Sequence, residues 1–143
     1  SQSGGIELLE RLPERHLEEL WLLYQGEWWT RGRERADVER MLAGSTEIVA
    51  AVGESGNRQR LLGFARALSD GAFRAIVFDL IIVPSHRGRG LGRLVLEELL
   101  RRPALARCSG VELMCLPEMA PFYERLGFSA DQSGVVRMLR PRG

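Results

Sequence analysis

Ile76-Val77-Phe78-Asp79-Leu80-Ile81-Ile82-Val83-Pro84-Ser85-His86-Arg87-Gly88-Arg89-Gly90-Leu91-Gly92-Arg93 is the most informative run of the chain. It begins almost continuously apolar, which predicts a central strand buried on both faces. Pro84 stops that strand. Three alternate glycines follow, and past them Leu91, Leu94, Val95, Leu99 and Leu100 fall at helical spacing. A strand therefore hands over to a helix through a Gly/Arg loop. Glycine has no Cβ, so a ligand can approach the backbone closely. The first amides of the following helix lack intrahelical partners and lie at the positive end of its dipole. An anion fits there, above all a phosphate. Arg87, Arg89 and Arg93 add positive charge. The loop is not a Walker A motif, because GxxxxGK[ST] is absent. Gly88, Gly90 and Gly92 give GxGxG, not the GxGxxG of dinucleotide folds.

The elements on either side extend this reading. Val111 to Leu116 is a second buried strand, so Phe73–Val83, the helix and Val111–Leu116 form one βαβ unit with parallel strands and a right-handed crossover. Upstream lie strands at Ile6–Glu10, Glu47–Val52 and Leu61–Leu68, the last turning at Asp70-Gly71 into Phe73. A helix opens at Pro13, carries Leu17, Leu20, Trp21 and Tyr24 on one face, and stops at Gly26. A second runs from about Glu34 to Leu42, with Val38, Met41 and Leu42 on one face. Downstream, a short helix Met119–Leu126 ends at Gly127, and Val135–Leu139 is a last strand. The expected fold class is α/β, in the sense of an α+β mixed sheet, with the order β-α-α-β-β-β-α-β-α-β and helices on both faces. The 143 residues form one domain, 1–143. Ser1 to Gly5 read as a tag remnant or a frayed end.

Composition narrows the function. Lys and Arg number 20 against 19 acidic residues, a net charge of +1. That balance argues against general binding to nucleic acid or to an anionic membrane. No apolar run is long enough to span a bilayer. Cys108 and Cys115 form no metal-ligand pattern, so no metal is expected. Cys115 reads as a small core residue. The absence of a disulfide framework fits a reducing, cytoplasmic setting. A homodimer is left open.

Arg87-Gly88-Arg89-Gly90-Leu91-Gly92 resembles the [R/Q]-x-x-G-x-[G/A] motif of the GNAT acetyltransferase superfamily. Phe122-Tyr123-Glu124-Arg125-Leu126-Gly127-Phe128 is similar to its FYxxLGF segment. The element order agrees along nearly the whole chain. The resemblance implies an acetyl-CoA:amine N-acetyltransferase with a splayed central sheet. It implies that amides of Gly88, Arg89, Gly90, Leu91, Gly92 and Arg93, with Arg87, bind the pyrophosphate. It also implies that the Ile81-Ile82-Val83 segment receives the pantetheine arm like an added strand, through backbone groups of Ile81 and Val83. Tyr24 to Trp29, Phe64 to Gly71 and the Asp79 strand are similar to a cyanobacterial and plastid branch with arylalkylamine and protein acetyltransferases. That branch often has an acidic residue shortly before the tyrosine helix, where this chain has Leu116-Pro117.

Acetyl transfer to an amine needs a neutral nucleophile and a proton donor for the departing thiolate. Tyr123 stands where many members place a tyrosine near the CoA sulfur; otherwise it is a core aromatic. Asp79 is a lone carboxylate in an apolar strand. Burial would raise its pKa and make it a candidate base; the alternative is a structural Asp satisfied by amides or by an arginine. Glu118 reads as a helix cap. Trp28 and Trp29 would form an aromatic wall for the amine, with cation–π contact; the alternative packs one in the core. A small-molecule amine is the expected acceptor, with a peptide amine second. A non-catalytic acyl-CoA-binding sensor is the rival from another class.

Overall fold

The computed structural model describes residues 2–3 and 5–142. Its strands are β1 (Gln2–Ser3), β2 (Ile6–Leu9), β3 (Glu47–Ser55), β4 (Arg58–Ser69), β5 (Arg74–Ile82) and β6 (Gly110–Glu112), in that order across one sheet. Its helices are α1 (Leu17–Gln25), α2 (Arg35–Gly44), α3 (Leu91–Arg101), α4 (Pro103–Ala106) and α5 (Ala120–Glu124). Neighbouring strands run antiparallel from β1 to β5, and β5 pairs with β6 in parallel. The mixed sheet flanked by helices is the architecture the βαβ unit required. Of the opening residues, Gln2 and Ser3 pair with Glu7 and Ile6; Ser1 and Gly4 lie outside the described residues.

Two apolar clusters sandwich the sheet. On one face Leu91, Val95, Leu96 and Leu99 of α3 pack on Val49, Ala51, Leu62, Ala65, Ala67 and Val77. The i, i+4, i+5, i+8 spacing puts those four on one side of the helix, and each such burial contributes roughly 1.5–3 kcal/mol. On the other face Leu17, Leu20 and Tyr24 of α1 and Val38 of α2 pack on Val52, Leu61, Phe64 and Ile81. Small side chains on β4 (Gly63, Ala65, Ala67) let α3 lie close; a Cβ on Gly63 would come within 2.7 Å of Ile82 Cδ1.

β5 changes phase in its middle. Ala75 and Val77 face α3, but so do Leu80 and Ile82, while Ile81 has joined the α1 side. The cause is a bulge: β4 pairing passes from Phe78 opposite Arg66 to Ile81 opposite Phe64. Asp79 in the bulge has φ 60°, the one positive φ among described non-glycine residues. Bulges bend a strand and strengthen its twist. The β5–β6 pairing covers only Arg74–Ile76 against Gly110–Glu112. Beyond Ile76 this edge of β5 has no strand partner among the described residues.

The chain past β6 departs from expectation. Residues 113–116 continue no strand, and Cys115, expected in the core, is exposed. The strand expected at Val135–Leu139 does not form; Val136 is 74% and Met138 88% exposed. Strand propensity acts only where a neighbour supplies hydrogen bonds, and β6 offers three residues.

Candidate active site

The Gly/Arg loop sits where β5 ends. A 3-10 turn, Pro84–His86, leads into it. Gly88 and Gly90 adopt φ of 76° and 84°, conformations that glycine enters without the Cβ penalty. Gly90 caps α3: its carbonyl accepts the Leu94 amide at 3.1 Å. The amides of Gly88 through Arg93 find no acceptor among the described residues. They point outward at the positive end of an amphipathic helix, as an anion site requires. A Cβ on Gly88 or Gly90 would meet nothing within 4 Å, so the approach is open, whereas a Cβ on Gly92 would come within 3.4 Å of the Phe122 ring.

The edge of β5 beside this loop corrects one expectation. The Val83 amide donates to the Leu62 carbonyl at 2.9 Å, so it is spent on β4. Because an antiparallel pairing alternates, Ile81 also turns toward β4 and Ile82 turns to the open edge. The Ile82 carbonyl accepts from Arg87 Nε at 2.8 Å. The backbone offered to an added strand is thus that of Ile82.

Tyr123 lies on α5, between two aromatic neighbours. Its ring meets Phe122 and Phe128 edge-on, with centroids 5.0 and 6.0 Å apart. The Leu-Gly-Phe sequence explains the geometry. Gly127 has φ 95°, the Phe128 amide donates to the Tyr123 carbonyl, and the Gly127 amide to Glu124. This is a Schellman stop, in which the residue after the glycine packs back on the last turn. The Tyr123 hydroxyl has no hydrogen-bond partner among the described residues. Burial pushes its pKa up, and the nearby Cys115 pushes the same way. At neutral pH it is a phenol with its proton in place. Glu118 is exposed and makes no side-chain cap.

Asp79 is neither a free carboxylate nor a raised one. It is 7% exposed and accepts from Arg33 Nη1 (2.8 Å) and Nη2 (3.2 Å), from Arg66 Nε (2.8 Å) and from the Tyr24 hydroxyl (3.2 Å). Burial alone would raise its pKa, and is the largest single influence. The hydrogen bonds and charges of the two guanidiniums together outweigh it, so the pKa falls below its ordinary value. Burial, and after it the same carboxylate, holds the Tyr24 phenol far above its ordinary range. The expected base is in fact the centre of an ion cluster carrying one negative and two positive charges. A lone arginine between Ala65 and Ala67, on the strand facing Asp79, was the sequence signal for it.

Trp28 and Trp29 are 68% and 41% exposed, so neither is a core residue. They sit in residues 26–34, which follow α1. Thr30 Oγ1 donates to the Tyr24 carbonyl at 2.7 Å, and Gln25 Oε1 accepts the Gly32 amide at 3.1 Å. Glu27 of this stretch pairs with Arg87 at 3.0 Å. A cleft of about 440 Å³ lies beside it, lined among others by Leu22, Glu27, Leu61, Val83 and Arg87. The structure thus joins the glycine loop to the tryptophan stretch through Glu27, and Asp79 to the same stretch through Arg33. Both links were missed in the sequence, because ion pairs across 60 and 46 residues leave no local pattern.

The unpaired amides ahead of α3 form an anion-binding surface at the end of β5. The family model described as "Acetyltransferase (GNAT) domain" matches residues 44–130. The chain is 35% identical over 123 residues to an uncharacterized N-acetyltransferase, ycf52, of Porphyra purpurea, covering 86% of this chain and 70% of that one. It is 34% identical over 103 residues to a chloroplastic serotonin N-acetyltransferase 2 of Oryza sativa subsp. japonica, covering 72% of this chain and 52% of that one. A solved structure from Deinococcus radiodurans R1, described as a "putative acetyltransferase", superposes with a TM-score of 0.76 at 27% identity, over 96% of this chain and 92% of that one. The chain belongs to the GNAT acetyltransferase family and is an acetyltransferase.

Proposed function

We propose that the protein transfers the acetyl group of acetyl-CoA to the amine of a small molecule. The observation that carries this reading is the pairing of β5 with β6, which stops at Ile76 and leaves the strand edge at Ile82 open beside the free amides of Gly88–Arg93. Diphosphate would bind those amides and Arg89 and Arg93, and the thioester arm would lie along Ile82. Arg87 would exchange its hold on the Ile82 carbonyl for the arriving arm.

The neutral amine attacks the thioester carbonyl carbon, and a C–N bond forms as the C–S bond breaks. The electron pair leaves on sulfur, and Tyr123 supplies the proton to the thiolate, which suits a phenol that stays protonated at neutral pH. The proton lost by the amine passes to water. Asp79, held by two guanidiniums, takes no part as base in this reading. The exposed Trp28-Trp29 pair favours an amine attached to an apolar or aromatic body, and the likeness to a relative named for serotonin points the same way.

The test is a CoA-release assay with arylalkylamines, aliphatic amines, and lysine and N-terminal peptides. Turnover of a small amine at least about tenfold above the peptides in kcat/KM is expected. A preference for peptides would replace the small-amine reading. Acetyl-CoA binding with no turnover of any acceptor would replace it with a sensor.

A further inference from the structure

Residues 26–34 run alongside the C-terminal half of β5, tied to it at both ends. At one end Glu27 meets Arg87 just past the strand, at 3.0 Å and largely in solvent. At the other, Arg33 grips Asp79 in the bulge with both terminal nitrogens. Trp28 and Trp29 lie between the two ties. The Arg33 end is the stronger. Its carbonyl accepts from Trp21 Nε1 at 2.8 Å and from Gln25 Nε2 at 3.1 Å, and its guanidinium lies over the Tyr24 ring at 4.6 Å. A planar fork on a carboxylate fixes direction as well as distance, which an ammonium does not. Its partner, Asp79, is the residue of positive φ in the β5 bulge. One side chain therefore links the backbone irregularity of β5 to the stretch that bears the tryptophans.

We propose that Arg33 is a positioning residue for the acceptor amine: its two-pronged bond to Asp79 holds residues 26–34, and with them Trp28 and Trp29, at a fixed place beside the cleft. This rests on the reading of the protein as an amine acetyltransferase. The donor site, built from Ile82 and the glycine loop, does not depend on it.

Arg33→Met and Arg33→Lys, with phenethylamine as acceptor, test the proposal. Arg33→Met should raise the KM for the amine about tenfold, with kcat and the KM for acetyl-CoA within about threefold of wild type. Arg33→Lys keeps the charge but loses the fork and should recover only part of that effect. Hydrogen exchange gives a readout independent of turnover. Amides of residues 26–34 should exchange at least about tenfold faster in Arg33→Met, while those of α3 keep their protection. Should Arg33→Met fail to fold, Arg33→Lys and Glu27→Gln carry the same comparison, Glu27→Gln leaving the buried cluster intact. Unchanged exchange, or equal rises in both KM values, overturns the proposal. So does a loosened stretch with an unaltered amine KM. Wild type that acetylates no amine defeats the acetyltransferase reading and the acceptor role together, and the exchange then decides only whether Arg33 holds the stretch.

Discussion

The two halves of β5 belong to one strand and have opposite tasks. Arg74–Ile76 is paired on both sides, with β4 and with β6, and its Ala75 is buried in the core under α3. Leu80–Ile82 is paired on one side only and ends at the glycine loop. Between them stands Asp79, which reverses the strand's phase and is held by three neighbours. A closed half contributes stability, while an open half keeps backbone groups available, and here the boundary is an ion cluster. The cluster therefore answers to stability measurements and the open half to binding measurements.

The largest effect should come from the boundary itself. Asp79→Leu leaves Arg33 and Arg66 without their carboxylate and should cost about 3–5 kcal/mol, the range for breaking one partner out of a buried pair. Urea unfolding measures it; a loss below about 1 kcal/mol would mean that the cluster does not hold the bulge. The open half is next. Gly90→Val places a branched residue at φ 84° and crowds the anion site, so acetyl-CoA should bind about ten- to a hundredfold more weakly in a folded protein, corresponding to one lost charge-assisted hydrogen bond. Unaltered affinity by calorimetry would move the diphosphate elsewhere.

Tyr123→Phe should lower kcat about tenfold or more with little change in the KM for acetyl-CoA, since a proton donor acts in the transition state. With its pKa raised, wild-type turnover should not lose this acid until the pH passes about 10. Full activity in the phenylalanine variant would make Tyr123 a packing residue.

The cluster also has a pH signature. Asp79 titrates below its ordinary 3.8 in the folded state, so its stabilising contribution is complete above that value and is lost as pH falls through the lower folded value. The stability gap between wild type and Asp79→Asn should therefore narrow on going from pH 5 toward pH 2. A gap that stays constant would show that the charge is not what stabilises. Smallest on stability are Trp28→Ala and Trp29→Ala, each expected within about 0.5 kcal/mol of wild type because both side chains are exposed. A rise in amine KM alone marks the acceptor wall, and a melting temperature several degrees lower would return either residue to the core.

Much of the fold and the shape of the glycine loop can be read from local pattern. Helical spacing in α1 and α3, the turn at Asp70-Gly71, the alternate glycines and the Leu126-Gly127-Phe128 stop are each decided within a dozen residues, where backbone sterics and solvent exposure leave few alternatives. The last strand is not such a case. Val135–Leu139 has the composition of a strand, but a strand exists only with a partner, and β6 ends at Glu112. Only the tertiary structure decided the fate of Asp79. A carboxylate in an apolar strand reads equally as a raised base or as half of an ion pair, and the answer depends on whether a guanidinium arrives. Arg66 lies 13 residues away across a bulge and Arg33 lies 46 away in the stretch after α1. Charge acts through space while sequence records only the order along the chain, so the role of Asp79 is set where those distances close.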